Sequence, residues 1–246
     1  MLGLPDGTLA CLFDLDGVVT KTALVHAAAW KEMFDDFLRS RAAATGTEFV
    51  PFDPVLEYDR YVDGKPRLDG TRSFLQARGI ELPEGDPSDP PGTRTVHGLS
   101  NRKNALVLEM IDKMGVQVYE GSVRYLRRVR EAGLRTAIVS SSANTVQVLD
   151  AAGITGLFDV RIDGVIARQR SLAGKPAPDT FLAAAQELGV PPARAVVFED
   201  ALAGVEAGRA GHFGCVVGVD RTGQAAELAE HGANIVVKDL EELLDR

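Results

Sequence analysis

Cysteine, histidine and long apolar segments are scarce in this chain. The 246 residues include two cysteines and four histidines, and both cysteines, Cys11 and Cys215, fall in apolar runs typical of strands. No Cys-x-x-Cys pair or His/Cys cluster suggests zinc, so we expect two reduced core thiols, as in a cytosolic protein. No apolar run approaches the ~20 residues of a membrane span, and Met1 to Asp6 lack the features of a signal peptide. The sequence therefore predicts a cytoplasmic protein with no membrane contact.

Basic residues are also fewer than acidic residues. Lysine and arginine total 27 against 35 aspartate and glutamate residues, which gives a net charge of −8. An acidic surface argues against nucleic acid as a partner, and an anionic substrate would need local positive charge. The composition is otherwise that of an ordinary globular protein, 45% hydrophobic and 25% charged. The length allows one large domain or two smaller ones.

Helix and strand patterns alternate along the chain after Gly115. Amphipathic helices lie between five predicted strands, at 135–139, 159–162, 195–198, 214–219 and 234–237. Such alternation predicts an α/β fold in which a Rossmann-like parallel sheet carries helices on both faces.

The first predicted strand, Thr8 to Phe13, is separated from the others by a long segment of different character. That segment is mostly helical, with a helix predicted at 23–41, and it contains a Pro- and Gly-rich loop. We therefore expect two domains: an α/β core formed by residues 1–20 and 113–246, and an inserted, mostly helical domain formed by residues 21–112.

Two carboxylates stand where the first predicted strand should end. Asp14 and Asp16 follow the apolar run with one residue between them, and Gly17 comes next. Alternate residues of a strand share a face, and a Gly turn lets the second side chain swing around. Paired acids in this position suit a hard cation and a phosphate, and one of them could act as a nucleophile. Taken alone, however, Asp-x-Asp-Gly is usually an ordinary turn.

Three later groups of polar residues fall at comparable positions. Ser140 to Ser142 follow one predicted strand, Glu199 and Asp200 follow another, and Lys175 precedes a helix. Each group also has an ordinary explanation, as a helix cap, a partner of the helix dipole or a solvated lysine. Because ligands collect at the carboxyl ends of strands in open α/β sheets, the joint order favours one site. Either carboxylate of the first pair could join Asp200 in holding Mg²⁺, while the serine and the lysine could bind a phosphate.

Together, the four motifs resemble those of the haloacid dehalogenase superfamily of phosphotransferases over nearly the whole chain. The resemblance implies a phosphoaspartate mechanism in which Asp14 is the nucleophile and Asp16 is the general acid and base. It also implies that Ser140 and Lys175 hold the phosphate. The Mg²⁺ ligands that it implies are Asp14, Asp16 through its backbone carbonyl, Asp200 and, in support, Glu199.

Within this superfamily, the chain is most similar to the β-phosphoglucomutase family. The opening run continues from Asp14 to Thr22, and a His and a Trp follow at His26 and Trp30. By resemblance, the inserted domain is a cap, and the residues that would contact the substrate are Thr22, His26, Arg67, Lys103, Ser142 and Asn144. Two positions depart from the family pattern, because Ala143 and Asp63 each stand where a lysine is expected.

Three functions remain open from the sequence. The first is a β-phosphoglucomutase that converts β-glucose 1-phosphate to glucose 6-phosphate through a bisphosphate. The second is a phosphatase for sugar phosphates or other small molecules, which the departure at Ala143 favours. The third is a non-catalytic sugar-phosphate-binding module, against which the intact acid pair and Lys175 speak. The expected partner is a small-molecule sugar phosphate, and a cap of this size favours a monomer.

Overall fold

The computed structural model describes residues 2–245, which form two compact units. The core unit comprises the chain up to Thr22 and from Val116 onward, and the inserted unit is Ala23–Gly115. The domain bounds expected from the sequence lie within a few residues of these bounds. The role of the inserted unit as a cap stays a prediction.

A parallel sheet is the centre of the core unit. Within the described residues its six strands are β1 Ala10–Phe13, β2 Arg135–Val139, β3 Val160–Ile162, β4 Ala195–Glu199, β5 Cys215–Val219 and β6 Ile235–Val237. They run in the order β3-β2-β1-β4-β5-β6, and every neighbouring pair is parallel. Every residue of β1 and of β4 is buried, as expected for a parallel sheet covered on both faces. The expected α/β fold is confirmed.

Helices make up most of the remaining structure. The α-helices of the described residues are α1 Thr22–Thr45, α2 Arg67–Ala77, α3 Val96–Met114, α4 Glu120–Glu131, α5 Thr145–Ala151, α6 Gly164–Gln169, α7 Asp179–Leu188, α8 Leu202–Ala210 and α9 Ala225–His231. A π-helical turn spans Tyr58–Val62, and 3₁₀ turns span Thr155–Leu157, Pro192–Arg194 and Leu240–Asp245. The helices α4 to α9 belong to the core unit.

Helix α4 illustrates why the core helices form where they do. Val123, Leu126 and Val129 recur three residues apart, and all three are buried. Arg124 and Arg127, on the other side of the helix, are exposed. One apolar stripe against the sheet and one charged face toward water is the pattern of an amphipathic surface helix.

The two segments that connect the units run side by side within the core unit. The Lys21 N–H donates to the Gln117 carbonyl at 2.8 Å, and the Tyr119 N–H donates to the Val19 carbonyl at 2.9 Å. The segment that follows β1 is therefore tied to the segment that precedes α4. This pairing fixes the chain immediately after the Asp14–Asp16 motif.

The inserted unit has a core of its own, built largely from aromatic side chains. The ring centroid of Phe34 lies 5.2 Å from Trp30, 5.3 Å from Phe52 and 3.9 Å from Phe74. All four side chains are buried. No helix within residues 2–245 combines the length and apolar character that crossing a membrane requires.

Two helices differ from what periodicity predicts. The apolar stripe predicts a helix at 101–114, but α3 begins earlier, at Val96, because the Thr95 hydroxyl accepts the Gly98 N–H at 2.9 Å and caps it. The short helix α6 has too few residues for a periodic signal. It begins because the Asp163 carboxylate accepts two backbone N–H groups of its first turn.

Candidate active site

The carboxyl edge of the central strands gathers the polar residues singled out in the sequence. Asp14 follows β1, Ser140 follows β2, and Glu199 is the last residue of β4. Since β2 and β4 are the two neighbours of β1, these three side chains arise from adjacent positions on one edge. The Asp14 N–H donates to the carbonyl of Phe198 at 2.9 Å, which extends the β1–β4 pairing up to the acidic motif.

Lys175 lies buried between two of the carboxylates. Its Nζ is 2.5 Å from Asp14 Oδ1 and 2.5 Å from Glu199 Oε1, and it donates a third hydrogen bond to the Val139 carbonyl at 3.3 Å. The lysine is 3% exposed and Glu199 is 0% exposed, so water contributes little to their solvation. All three ammonium protons have an acceptor, which satisfies the requirement for burying such a charge.

The charges of this cluster act strongly on one another. Burial raises the pKa of the Asp14 carboxyl well above its ordinary value; Lys175 opposes this effect, and the carboxylates of Glu199 and Asp16 add to it. Burial alone would lower the pKa of Lys175, but Asp14 and Glu199 outweigh burial and raise that pKa. The Lys175 ammonium therefore stays protonated, whereas burial and the neighbouring carboxylates disfavour ionisation of Asp14.

A third carboxylate, Asp200, completes an acidic cluster with Asp14 and Glu199. Oxygen atoms of the three buried side chains all lie within 4.8 Å of one another. Three carboxylates beside one lysine leave an excess of negative charge, which a divalent cation would compensate. Carboxylate oxygens are also the ligands that hard cations such as Mg²⁺ prefer. The donor set therefore fits a metal ion of this class.

The three carboxylates are not equivalent. Glu199 Oε1 accepts from Lys175, and Glu199 Oε2 accepts the backbone N–H of Ala201 at 2.8 Å. Since both of its oxygens are occupied, Glu199 is suited to hold the lysine and the start of α8 in place. Asp14 and Asp200 are the better candidates for direct contact with a cation.

Two glycines make room for these carboxylates. Gly17 has a φ of 95°, which disfavours other residues, and a Cβ at this position would overlap the Asp200 carboxylate. A Cβ at Gly204, in the first turn of α8, would likewise overlap the Glu199 carboxylate. Glycine is required at both positions for the acidic cluster to form.

Asp16 lies beside this cluster with a different set of partners. Its Oδ1 accepts from the Thr22 hydroxyl, and its Oδ2 accepts from the Ser140 hydroxyl at 3.3 Å. The Thr20 hydroxyl, which is within 2.6 Å of Thr22 Oγ1, donates to the carbonyl of Leu15 at 3.1 Å. The structure thus brings Asp16, Ser140 and Thr22 together through side-chain hydrogen bonds within the core unit.

Ser142 and Asn144 continue from Ser140 in one compact turn. The Ser142 N–H donates to Ser140 Oγ at 3.1 Å, and the Asn144 N–H donates to Ser142 Oγ at 3.1 Å. Asn144 precedes the first residue of α5 and is buried. Their expected contact with a substrate stays a prediction.

The remaining expected site residues belong to the inserted unit. Lys103 is 4% exposed; its Nζ is 2.7 Å from His26 Nδ1 and 4.9 Å from the centre of the Trp30 ring. Arg67 is the first residue of α2. The structure brings His26 and Lys103 together on α1 and α3, and the role of all three polar residues in substrate binding stays a prediction.

Sequence reasoning missed two residues that contact the site's backbone. Arg221 Nε donates to the Gly17 carbonyl at 2.8 Å, and Gln224 Nε2 donates to the Asp200 carbonyl at 3.1 Å. Both lie just beyond β5, whose carboxyl end belongs to the same edge of the sheet as that of β4. The rule that functional groups follow parallel strands would have drawn attention to Asp220 and Arg221.

Comparison with known families agrees with this geometry. Residues 8–212 match the family described as haloacid dehalogenase-like hydrolases. The chain belongs to this family. The resemblance drawn from the four motifs is thereby confirmed, and the protein is an enzyme of a family whose chemistry fits phosphoryl transfer.

Individual relatives extend the similarity over the whole chain. A protein of Mycobacterium bovis named β-phosphoglucomutase is 57% identical over 247 aligned positions, which cover 99% of this chain and 94% of the relative. The crystal structure of a β-phosphoglucomutase from Clostridium difficile is 26% identical, with a TM-score of 0.73 over 96% of this chain and 93% of that one. A hydrolase from Pseudomonas syringae has a TM-score of 0.76 at 23% identity, with 97% of each chain covered, and that similarity concerns the fold alone.

Proposed function

We propose that the protein is a Mg²⁺-dependent β-phosphoglucomutase, which converts β-glucose 1-phosphate into glucose 6-phosphate through a bisphosphate intermediate. The observation that carries the proposal is the buried cluster of Asp14, Lys175, Glu199 and Asp200. It occurs in a chain 57% identical, almost end to end, to a relative named β-phosphoglucomutase.

Asp14 is the proposed nucleophile, and it exchanges the phosphoryl group with the sugar. In the first step the phosphoryl group on Asp14 passes to the 6-hydroxyl of β-glucose 1-phosphate: a new oxygen–phosphorus bond forms as the aspartyl–phosphorus bond breaks. In the second step the bisphosphate, turned around, returns its 1-phosphoryl group to Asp14, and glucose 6-phosphate leaves. Each step is an ordinary displacement at phosphorus by a carboxylate or a hydroxyl.

Asp16 moves the proton in both steps. It takes the proton from the 6-hydroxyl as that oxygen attacks phosphorus, and it gives the proton to the sugar 1-oxygen as that oxygen departs. Its side chain is supported by hydrogen bonds from Thr22 and Ser140, which suits a group that must be held within reach of the reacting oxygen.

Charge compensation comes from the residues around Asp14. Lys175 neutralises part of the phosphate charge, and the Ser140 hydroxyl donates to a phosphate oxygen. Asp14, Asp200 and the Asp16 carbonyl, with Glu199 in support, would hold Mg²⁺, which when bound offsets the negative charge of the transferring phosphoryl group.

The phosphate that is not transferred needs partners of its own. We propose Arg67 and Lys103 for this role, since a guanidinium and an ammonium are the side chains that bind phosphate through charge. Ser142 and Asn144 are proposed as further polar contacts of the sugar phosphate. His26, 2.7 Å from the Lys103 ammonium, is proposed to orient that lysine.

A phosphatase acting on the same class of substrate is the second candidate. It differs from the mutase in that water, rather than a sugar hydroxyl, accepts the phosphoryl group from Asp14. Ala143 favours it, because it stands where the resemblance leads us to expect a lysine, so that one phosphate-binding charge is missing. The matching family is also described as hydrolases.

One assay separates the two candidates. The protein is incubated with Mg²⁺, β-glucose 1-phosphate and a trace of glucose 1,6-bisphosphate, and both glucose 6-phosphate and free phosphate are measured. Glucose 6-phosphate as the main product supports the mutase, and stoichiometric free phosphate contradicts it in favour of the phosphatase. Protein carrying Asp14→Asn, purified in the same way, controls for contaminating enzymes, and addition of EDTA tests the metal.

A further inference from the structure

Arg221 braces the loop that carries the acidic motif. Its Nε donates to the Gly17 carbonyl at 2.8 Å, and one of its terminal nitrogens lies 3.4 Å from the Val18 carbonyl. These two carbonyls belong to the turn between Asp16 and Thr20. One guanidinium therefore engages two successive backbone groups immediately after the proposed general acid.

The guanidinium is itself held from the opposite side. Nη1 donates to the Lys238 carbonyl at 2.6 Å and lies 3.4 Å from Asp239 Oδ2. Its Cζ stands 3.5 Å from the centre of the Tyr119 ring, and the side chain is only 14% exposed. All of these groups belong to the core unit, so Arg221 connects the loop to the end of β6 and to the segment before α4.

The turn that Arg221 contacts adjoins two side chains of the proposed mechanism. Asp16 directly precedes Gly17, so the backbone that carries the Asp16 carboxylate continues into the backbone that Arg221 holds. Gly17 also approaches Asp200 so closely that a Cβ would overlap its carboxylate. Gln224, three residues after Arg221, holds the carbonyl of that same Asp200 at 3.1 Å.

We propose that Arg221 is a positioning residue that keeps the Asp16 carboxyl within reach of the reacting sugar oxygen. The inference rests on the proposed function, in which Asp16 transfers that proton. Arginine suits the task because its planar fork can address two carbonyls and still stack on an aromatic ring, whereas lysine offers a single point charge. Displacement of a reacting group by about 1 Å can cost roughly 10²-fold in rate.

The proposal is tested by comparing two substrates that differ in their need for a proton. When Asp14 attacks glucose 6-phosphate, the departing sugar oxygen needs a proton from Asp16. When it attacks para-nitrophenyl phosphate, the phenolate leaves without one. Steady-state hydrolysis of both is measured for wild type, Arg221→Met and Arg221→Lys, and kcat/KM is compared because it reports formation of the phosphoenzyme and not its later hydrolysis.

Arg221→Met is expected to lower kcat/KM for the sugar phosphate by about 10–100-fold and that for para-nitrophenyl phosphate much less. Arg221→Lys should fall between wild type and Arg221→Met, and Asp16→Ala should show the same selectivity with a larger loss. Arg124→Met serves as the matched control and should leave both rates unchanged. Arg124 is an exposed arginine of α4 whose ion-pair partner is Glu241.

Equal losses on both substrates would overturn the positioning role, since a merely structural defect does not distinguish leaving groups. If Arg221→Met does not fold, as judged by circular dichroism, the same criterion applied to Arg221→Lys decides. A wild-type protein that forms no glucose 6-phosphate from β-glucose 1-phosphate and hydrolyses neither ester would instead overturn the proposed function, and the inference with it.

Discussion

Each unit of the molecule buries one lysine that the sequence singles out, and the two are solvated differently. In the core unit, Lys175 has two carboxylates at 2.5 Å, from Asp14 and Glu199, and a backbone carbonyl at 3.3 Å. In the inserted unit, Lys103 contacts His26 at 2.7 Å and the face of Trp30 at 4.9 Å. One ammonium is anchored by formal charges, and the other contacts an imidazole and an aromatic ring.

The difference concerns how each buried lysine is paired. Burying an ammonium is costly unless it is paired, and the pairing of Lys175 is supplied by residues of the sheet edge themselves. The buried charged residues that we propose for phosphoryl transfer therefore all belong to the core unit. Lys103 lies in the inserted unit against an imidazole and an aromatic ring, and its proposed contact with a substrate phosphate stays a prediction.

Replacement of Asp14 in the core unit is expected to have the largest effect on turnover. Asp14→Asn should reduce sugar phosphate turnover below detection, because an amide is not a nucleophile, while removing one charge from the cluster without changing its shape. The measurement is glucose 6-phosphate formation under the conditions described above. Wild-type rates in this variant would show that the nucleophile lies elsewhere; Asp6→Asn, at an exposed carboxylate of the same unit, controls for charge.

Asp16 should show the next largest effect. Asp16→Ala is expected to lower kcat by roughly 10²–10⁴-fold, the usual contribution of a general acid and base. The measurement is kcat for glucose 6-phosphate formation under the assay conditions described above. Retention of the wild-type kcat would contradict the assignment.

Replacing each lysine separately by methionine compares the two units directly. Lys175→Met leaves Asp14 and Glu199 buried beside each other without their cation, and it should lower the free energy of unfolding by about 3–5 kcal/mol. Lys103→Met keeps a long side chain against Trp30 but loses the cation–π contact and the hydrogen bond with His26, and it should cost about 1–3 kcal/mol.

Urea denaturation of both variants in the absence of Mg²⁺ gives these values directly. The double variant Lys175→Met/Glu199→Gln should recover part of the loss, because it removes one of the two unpaired charges. Similar losses in the two single variants would mean that the solvation of the two lysines does not differ as described.

Arg67 is expected to give the smallest of the effects on activity. Arg67→Ala should lower mutase turnover by about 10–100-fold, the value of one or two hydrogen bonds to a charged group, and leave hydrolysis of para-nitrophenyl phosphate almost unchanged. The substrate pair is the control, since the smaller ester has no second phosphate. Equal losses on both substrates would argue against a role in binding the second phosphate.

Much of the core site could be read from the sequence because strand patterns and chemistry coincide there. Asp14, Ser140 and Glu199 each terminate or follow an apolar run, and parallel strands deliver such residues to one edge. Lys175 was recognisable from its place ahead of a helix and from the family resemblance. The alternation of elements likewise predicted the α/β class.

The features that could not be predicted from the sequence are mostly contacts between residues that lie far apart in the chain. The position of β1 between β2 and β4 follows from hydrogen bonding across the sheet, and the contact of Arg221 with Gly17 joins residues at opposite ends of the chain. His231 has no recognisable partner in sequence, yet its Nδ1 lies 2.7 Å from Glu206 Oε1 because α8 and α9 pack together. Helix α6 was missed because its six residues are too few for a periodic pattern.

Trapping the phosphorylated enzyme tests most directly whether Asp14 is the nucleophile. The protein is incubated with Mg²⁺ and glucose 1,6-bisphosphate, quenched in acid and digested. The mass of the peptide that contains Asp14 is then measured by mass spectrometry. We expect one added phosphoryl group, located on Asp14 by fragmentation, and none in the Asp14→Asn variant. A phosphoryl group on any other residue, or its absence in protein that is turning over substrate, would contradict it.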